Sequence, residues 1–132
     1  KENATTSIEL NDVAAKFLEL SETNKSEWLP GYYALTCYLR QSVNKALMPD
    51  DIDGFLETTV KPLLVDLTNR FPDESEIWVL QSWYNAAYLM IDPQSRGMVY
   101  GRKSYDASEH AIELDPKNPR ALLMKYQNIL GR

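Results

Sequence analysis

Cysteine is almost missing from this chain. Cys37 stands alone, so no internal disulfide can form and a zinc site built from cysteines is excluded. Histidine is equally scarce, with His110 the single example. A surplus of positive charge is lacking too: 14 Lys and Arg face 19 Asp and Glu, a net charge of −5 with the acids spread along the chain. A phosphate backbone needs a basic face, so nucleic acid is not the expected partner. No apolar run reaches the ~20 residues that a membrane-spanning helix requires. Glycine (5) and proline (7) are few and fall between apolar segments, as in helices joined by turns.

What is present is apolar periodicity at helical spacing. Leu10, Val13, Ala14, Phe17 and Leu20 make one stripe over a helix predicted from Ser7 to Ser21. A second helix, from Glu27 to about Ala46, carries Trp28, Tyr32, Tyr33, Leu35, Tyr38 and Leu39, with Pro30 in its first turn, where a missing N–H costs little. A third, Asp51 to Arg70, starts on an Asp50 or Asp51 cap and contains Pro62, which predicts a kink near Thr58. A fourth, capped by Asp73 or Ser75 and running to about Ile91, is apolar nearly all round and should be the most buried. The stretch 92–101 is expected to be a loop, with Met98, Val99 and Tyr100 packing back. Two more helices follow, Lys103 to Leu114 and Pro119 to Leu130, with Gly131 as the final cap. At 132 residues one domain, 1–132, is expected.

The segment Ala111-Ile112-Glu113-Leu114-Asp115-Pro116-Lys117-Asn118-Pro119-Arg120-Ala121 resembles the junction between repeats in tetratricopeptide (TPR) proteins. Phe71-Pro72-Asp73-Glu74-Ser75-Glu76-Ile77-Trp78 is a looser copy, and Trp28 marks a third. Trp28, Trp78 and Leu122 then share one slot of the repeat. Pro72 and Pro116 lie 44 residues apart, against about 34 in a TPR, with the 92–101 stretch supplying the excess. Trp28-Leu29-Pro30 with Tyr33-Ala34, together with Asp92-Pro93 and Arg96-Gly97, is also similar to uncharacterised, often exported TPR-like proteins of Bacteroidetes. The resemblance implies an all-α superhelix of antiparallel hairpins, no reaction, and an exported or periplasmic location. A start at Lys1 without a signal peptide fits a mature product. The last helix has apolar residues on more than one face and no partner hairpin, so chain beyond Arg132 or another subunit is expected to cover it.

Chemical motifs are thin. Asp50-Asp51-Ile52-Asp53-Gly54 fails as a calcium loop, because Pro49 falls at the first ligand position and Val60 where a bidentate Glu is needed; helix capping accounts for it. His110, between Glu109 and Ala111, is expected on a partly exposed face, and Cys37 as a small buried hydrophobe. Arg96-Gly97 lacks the glycines of a phosphate loop. No cofactor or metal is expected, and no enzyme activity. The abundant aromatics point to binding instead. If the second, fourth and sixth helices line an inner groove, Trp78, Ser82, Asn85 and Leu89 form one candidate line for a protein or peptide partner, with Tyr32, Thr36 and Arg40 facing it. A homo-oligomer through helix 119–130 is the alternative. A small-molecule or carbohydrate binder using Arg96 and Tyr100 of the 92–101 loop is a third possibility.

Overall fold

The computed structural model describes residues 7–44 and 47–130. Among these the chain is all-helical, with no residue in a strand. Six helices follow in order: α1 Ser7–Thr23, α2 Leu29–Val43, α3 over 52–70, α4 Ser75–Ile91, α5 Pro93–Leu114 and α6 Pro119–Leu130. α3 runs through three consecutive stretches, Ile52–Phe55, Leu56–Val60 and Lys61–Arg70, the middle one wound as a π-helix. The chain divides into two compact units, Lys1–Leu67 and Thr68–Arg132. The cap foreseen at Gly131, and Lys45 and Ala46 at the end of the second predicted helix, lie outside the described residues.

In the first unit α1 packs on α2 through Ala14, Ala34, Leu35 and Leu39, all fully buried. Phe17 meets Tyr33 at 5.3 Å between ring centroids. Gln41, buried among these groups, donates from Nε2 to Asn11 Oδ1 at 2.8 Å and so satisfies an amide that burial would otherwise penalise. Of the predicted α1 stripe, Val13 and Leu20 stay 42% and 49% exposed. α2 stops at Val43, and Asn44 is extended. Its Gly31 permits close approach to α3: a Cβ there would sit 2.8 Å from both methyl carbons of buried Leu67.

Asp51 caps α3, its carboxylate accepting from Gly54 N at 3.0 Å. The disturbance expected near Thr58 takes the form of the π stretch. Pro62 has no N–H to offer the carbonyl of Thr58 and crowds it. The backbone widens instead, and Lys61 N–H bonds to Leu56 O, five residues back. Leu56, Val60, Leu64 and Leu67 still reach the core.

After the last turn of α3 the second unit continues into α4, capped by Glu74 rather than Asp73 or Ser75. Ser75 instead turns inward and donates to Ala111 O at 2.8 Å, which makes it part of the helix interface. As its composition suggests, α4 is buried along most of its length. The 92–101 stretch is not a loop. It forms the opening turns of α5, a 22-residue helix. Asp92 is the N-cap and Pro93 the first helical residue, a start signal stronger than the break that Gly97 and Gly101 suggested. Asp92 accepts from Ser95 N at 3.4 Å and from Ser95 Oγ at 2.6 Å. The Ser95 hydroxyl, helped by its amide, holds the Asp92 carboxyl below its usual range. Tyr100 does pack back, edge-on to Tyr88 at 4.7 Å. Met98 and Val99 do not, at 90% and 54% exposed.

Candidate functional site

Two features of the second unit bear on function: the seam that fixes α4, α5 and α6, and a trough that the seam leaves open. The seam is built from small polar residues. Ser82 Oγ donates to Ser104 O at 2.8 Å, and Ser104 Oγ donates to Ser82 O at 2.8 Å. Both serines are fully buried. Each hydroxyl satisfies itself on the other helix's carbonyl, so α4 and α5 can lie close without an orphaned polar group. The pairings of Ser75 with Ala111 and Ser82 with Ser104 run in opposite directions along the two helices, which makes the pair an antiparallel hairpin.

Asn118 joins the third helix to this hairpin. It is 3% exposed and donates from Nδ2 to Ser75 Oγ at 2.9 Å. Its Oδ1 accepts from Arg120 N at 3.0 Å and Ala121 N at 3.4 Å, capping α6. Arg120 closes the same corner with a two-pronged ion pair to Glu76, which is otherwise buried. Further along, Lys125 lies 2.7 Å from Glu109. The hydrogen bond that Lys125 donates to Glu109 holds the Glu109 carboxyl below its usual range and raises the Lys125 ammonium. Val79, Ala111 and Ala121 form the small apolar centre of this corner, covered by Trp78, Ile112 and Met124.

The trough has a volume of about 750 Å³ and lies between the end of α4, the start of α5 and the end of α6. Leu89, Met90, Met98 and Met124 give it an apolar wall, and Gly97 and Gly101 of α5 leave that wall low. Arg102, Gln127 and Asn128 supply polar groups at its border. Methionine adapts its shape to what it touches, so such a surface suits an apolar side chain delivered by a partner.

The residues selected from sequence are distributed differently. Ser82 is fully buried and bonded to Ser104, and so has no surface to present. Asn85 is 8% exposed and donates to Gln81 O. Trp78 is half-buried, donates from Nε1 to Pro72 O at 2.7 Å and meets the His110 ring edge-on at 4.4 Å. These three act as packing and hydrogen-bonding elements of the seam, and Leu89 alone of that line reaches the trough. Tyr32, Thr36 and Arg40 belong to the first unit. Thr36 returns its hydroxyl to Tyr32 O, Tyr32 packs between Trp28 and Tyr33, and Arg40 is exposed. Arg96, now on a helix, lies 3.9 Å over the Tyr88 ring and donates to Tyr88 O.

His110 Nδ1 is 3.2 Å from Glu113 Oε1. Burial pushes the Cys37 thiol up despite Arg40 nearby, away from the thiolate that a nucleophile would need. Sequence reasoning marked Leu89 and the 92–101 stretch, which border the trough, but not its wall of methionines. Its signal was there as Gly97-Met98-Val99-Tyr100-Gly101, two glycines four apart around a methionine.

Among the described residues no helix is long and apolar enough to cross a membrane. No protein-family model matches the chain, and no curated protein and no solved structure matches it.

Proposed function

We propose that this chain is a non-catalytic docking module, TPR-like in organisation, that binds a protein or peptide segment. The observation that carries the reading is the trough of Leu89, Met90, Met98 and Met124 beside an antiparallel hairpin and a third helix. Its volume falls within the ~300–1,000 Å³ of pockets that hold ligand groups, and its lining is apolar with a few polar groups at the border. The TPR-like part of the proposal draws on the Ala111–Ala121 junction. There one hairpin hands over to the next helix through Asn118, and small residues bring the helices together. Superhelical stacking of further hairpins belongs to the same proposal. A non-enzymatic role is supported by His110 set edge-on against Trp78 and by a Cys37 thiol disfavoured as thiolate.

The test is selection of peptides from a random displayed library against the intact chain. Peptides that bind should lose the chain carrying Met98→Glu, a change at a 90% exposed position that leaves the fold intact. Peptides that bind both chains equally, or no enrichment at all, would remove the trough as the docking site.

A further inference from the structure

We infer that Met90 and Met98 form a modification site: a peroxide oxidises their thioethers to sulfoxides, and the trough then releases apolar ligands. The inference rests on the trough being a docking site and adds how its occupancy is regulated.

The chain has four methionines. Three of them, Met90, Met98 and Met124, line this one trough from three helices. They are not equally open. Met98 is 90% and Met90 65% exposed. Met124 is half-buried and packs against Val79, Ala111 and Ala121. Met48, the fourth, is half-buried in the first unit. On α5, Gly101 stands three residues after Met98, where a helical neighbour would lie beside it, and has no side chain to cover the sulfur. Packing does not require glycine there, since a Cβ at Gly97 or Gly101 would meet only Leu89, at 3.6 and 4.0 Å.

The remaining sulfur does not compete. Cys37 is the single cysteine, and burial pushes its thiol up, away from the thiolate that reacts with peroxides. A thioether has no proton to lose and reacts as it stands. A lone pair of the methionine sulfur takes one peroxide oxygen, the O–O bond breaks, and the other oxygen of hydrogen peroxide leaves as water. Sulfur gives up two electrons and the peroxide gains them. The product is a polar, chiral sulfoxide in place of an apolar, pliant thioether.

That change falls on the trough and spares the core. Side chains as open as Met90 and Met98 add little buried area, so the fold keeps its packing when they are oxidised. An apolar ligand in the trough would instead meet a strong acceptor oxygen. That oxygen is left unpaired against the ligand, or it turns to the N–H donors of Arg102, Gln127 or Asn128 at the border. Either way the apolar wall is lost. Methionine sulfoxide reductases restore it: two thiols become a disulfide and the oxygen departs as water.

The test treats the intact chain with hydrogen peroxide and maps the added oxygen by mass spectrometry of its peptides. Met98 and Met90 should be modified several-fold faster than Met48 and Met124. The probe of the trough is the apolar dye anilinonaphthalene sulfonate, counted as the part of its binding that Met98→Glu abolishes. Oxidation should weaken that part about tenfold, the cost of an unpaired polar group set against an apolar one. Sulfoxide reductases with dithiothreitol should restore it. In a chain carrying both Met90→Leu and Met98→Leu, the ratio of treated to untreated binding should stay near one, whatever its starting level. Met48→Leu should leave the peroxide response as it is in the unaltered chain. Circular dichroism should not change on oxidation. Equal modification of the four methionines, or Met98-dependent dye binding that survives oxidation, overturns the inference and leaves the docking function in place. Dye binding indifferent to Met98→Glu, with no selected peptide lost through that change, removes the docking function and the switch together.

Discussion

The two units bring helices together by opposite means. In the first, close approach comes from deleting a side chain: Gly31 lets α2 settle against Leu67 of α3, within a core of leucines, valine and alanines. In the second, close approach comes from side chains that are short and polar, with Ser82 and Ser104 exchanging hydroxyl-to-carbonyl bonds at the centre of the hairpin. A glycine contact is permissive and tolerates any arrangement without a clash. A reciprocal serine pair is specific, because sliding one helix along the other breaks both bonds at once. The second unit is thus the one whose geometry is defined well enough to present a site, and it is also the one with no charge surplus.

That contrast can be broken most severely at Ser82. Ser82→Leu places a large side chain where no space exists and breaks the bond from Ser82 Oγ to the Ser104 carbonyl, so the midpoint of urea unfolding should fall by the equivalent of about 3 kcal/mol. Asn118→Ala removes both the α6 cap and the bond to Ser75. A loss of about 2 kcal/mol in the same assay is expected, the sum of a cap and a buried hydrogen bond.

A paired substitution sharpens the comparison further. Gly31→Ala should destabilise the chain by about 1 kcal/mol, the clash with Leu67 outweighing the helix propensity gained, while Gly97→Ala should stabilise it by about the same amount. Equal signs for the two would show that the glycines play one role. The smallest effect is expected at Glu109. Its depressed carboxyl contributes stability above the ordinary glutamate range, and that contribution is lost as pH falls through the lowered value of the folded chain. The raised Lys125 contributes below the ordinary lysine range and loses its part as pH climbs through the higher folded value. Glu109→Gln should make the acid side of a stability–pH curve slightly shallower, and an unchanged curve would show the half-exposed pair to be inert.

Helical periodicity made the all-α character legible, since α1 to α6 each carry apolar residues three and four apart. Proline chemistry placed the disturbance in α3 but left its form open, because a kink and a π stretch both relieve the Thr58 carbonyl. The error at 92–101 arose because Asp92-Pro93 ends one helix and starts the next. The same two residues serve as a stop and as an N-cap with a first-turn proline, and Gly97 and Gly101 tilted the choice toward a loop. Ser82 and Asn85 were placed on a binding face because hydrophobicity gives no signal for a serine buried through its hydroxyl. The trough's methionine wall escaped notice for a related reason: Met90, Met98 and Met124 stand on three helices, scattered in sequence, and meet only in space.

Asn118 has a consequence for the order in which the chain comes apart. α6 has only twelve residues, too few to sustain itself in water, and its anchored end is the one that Asn118 pins to Ser75. Its backbone amides should therefore exchange with deuterium along a gradient, fastest near Leu130 and slowest near Ala121. The helix would unzip from its Leu130 end toward the latch, and the seam would be the last part of it to let go.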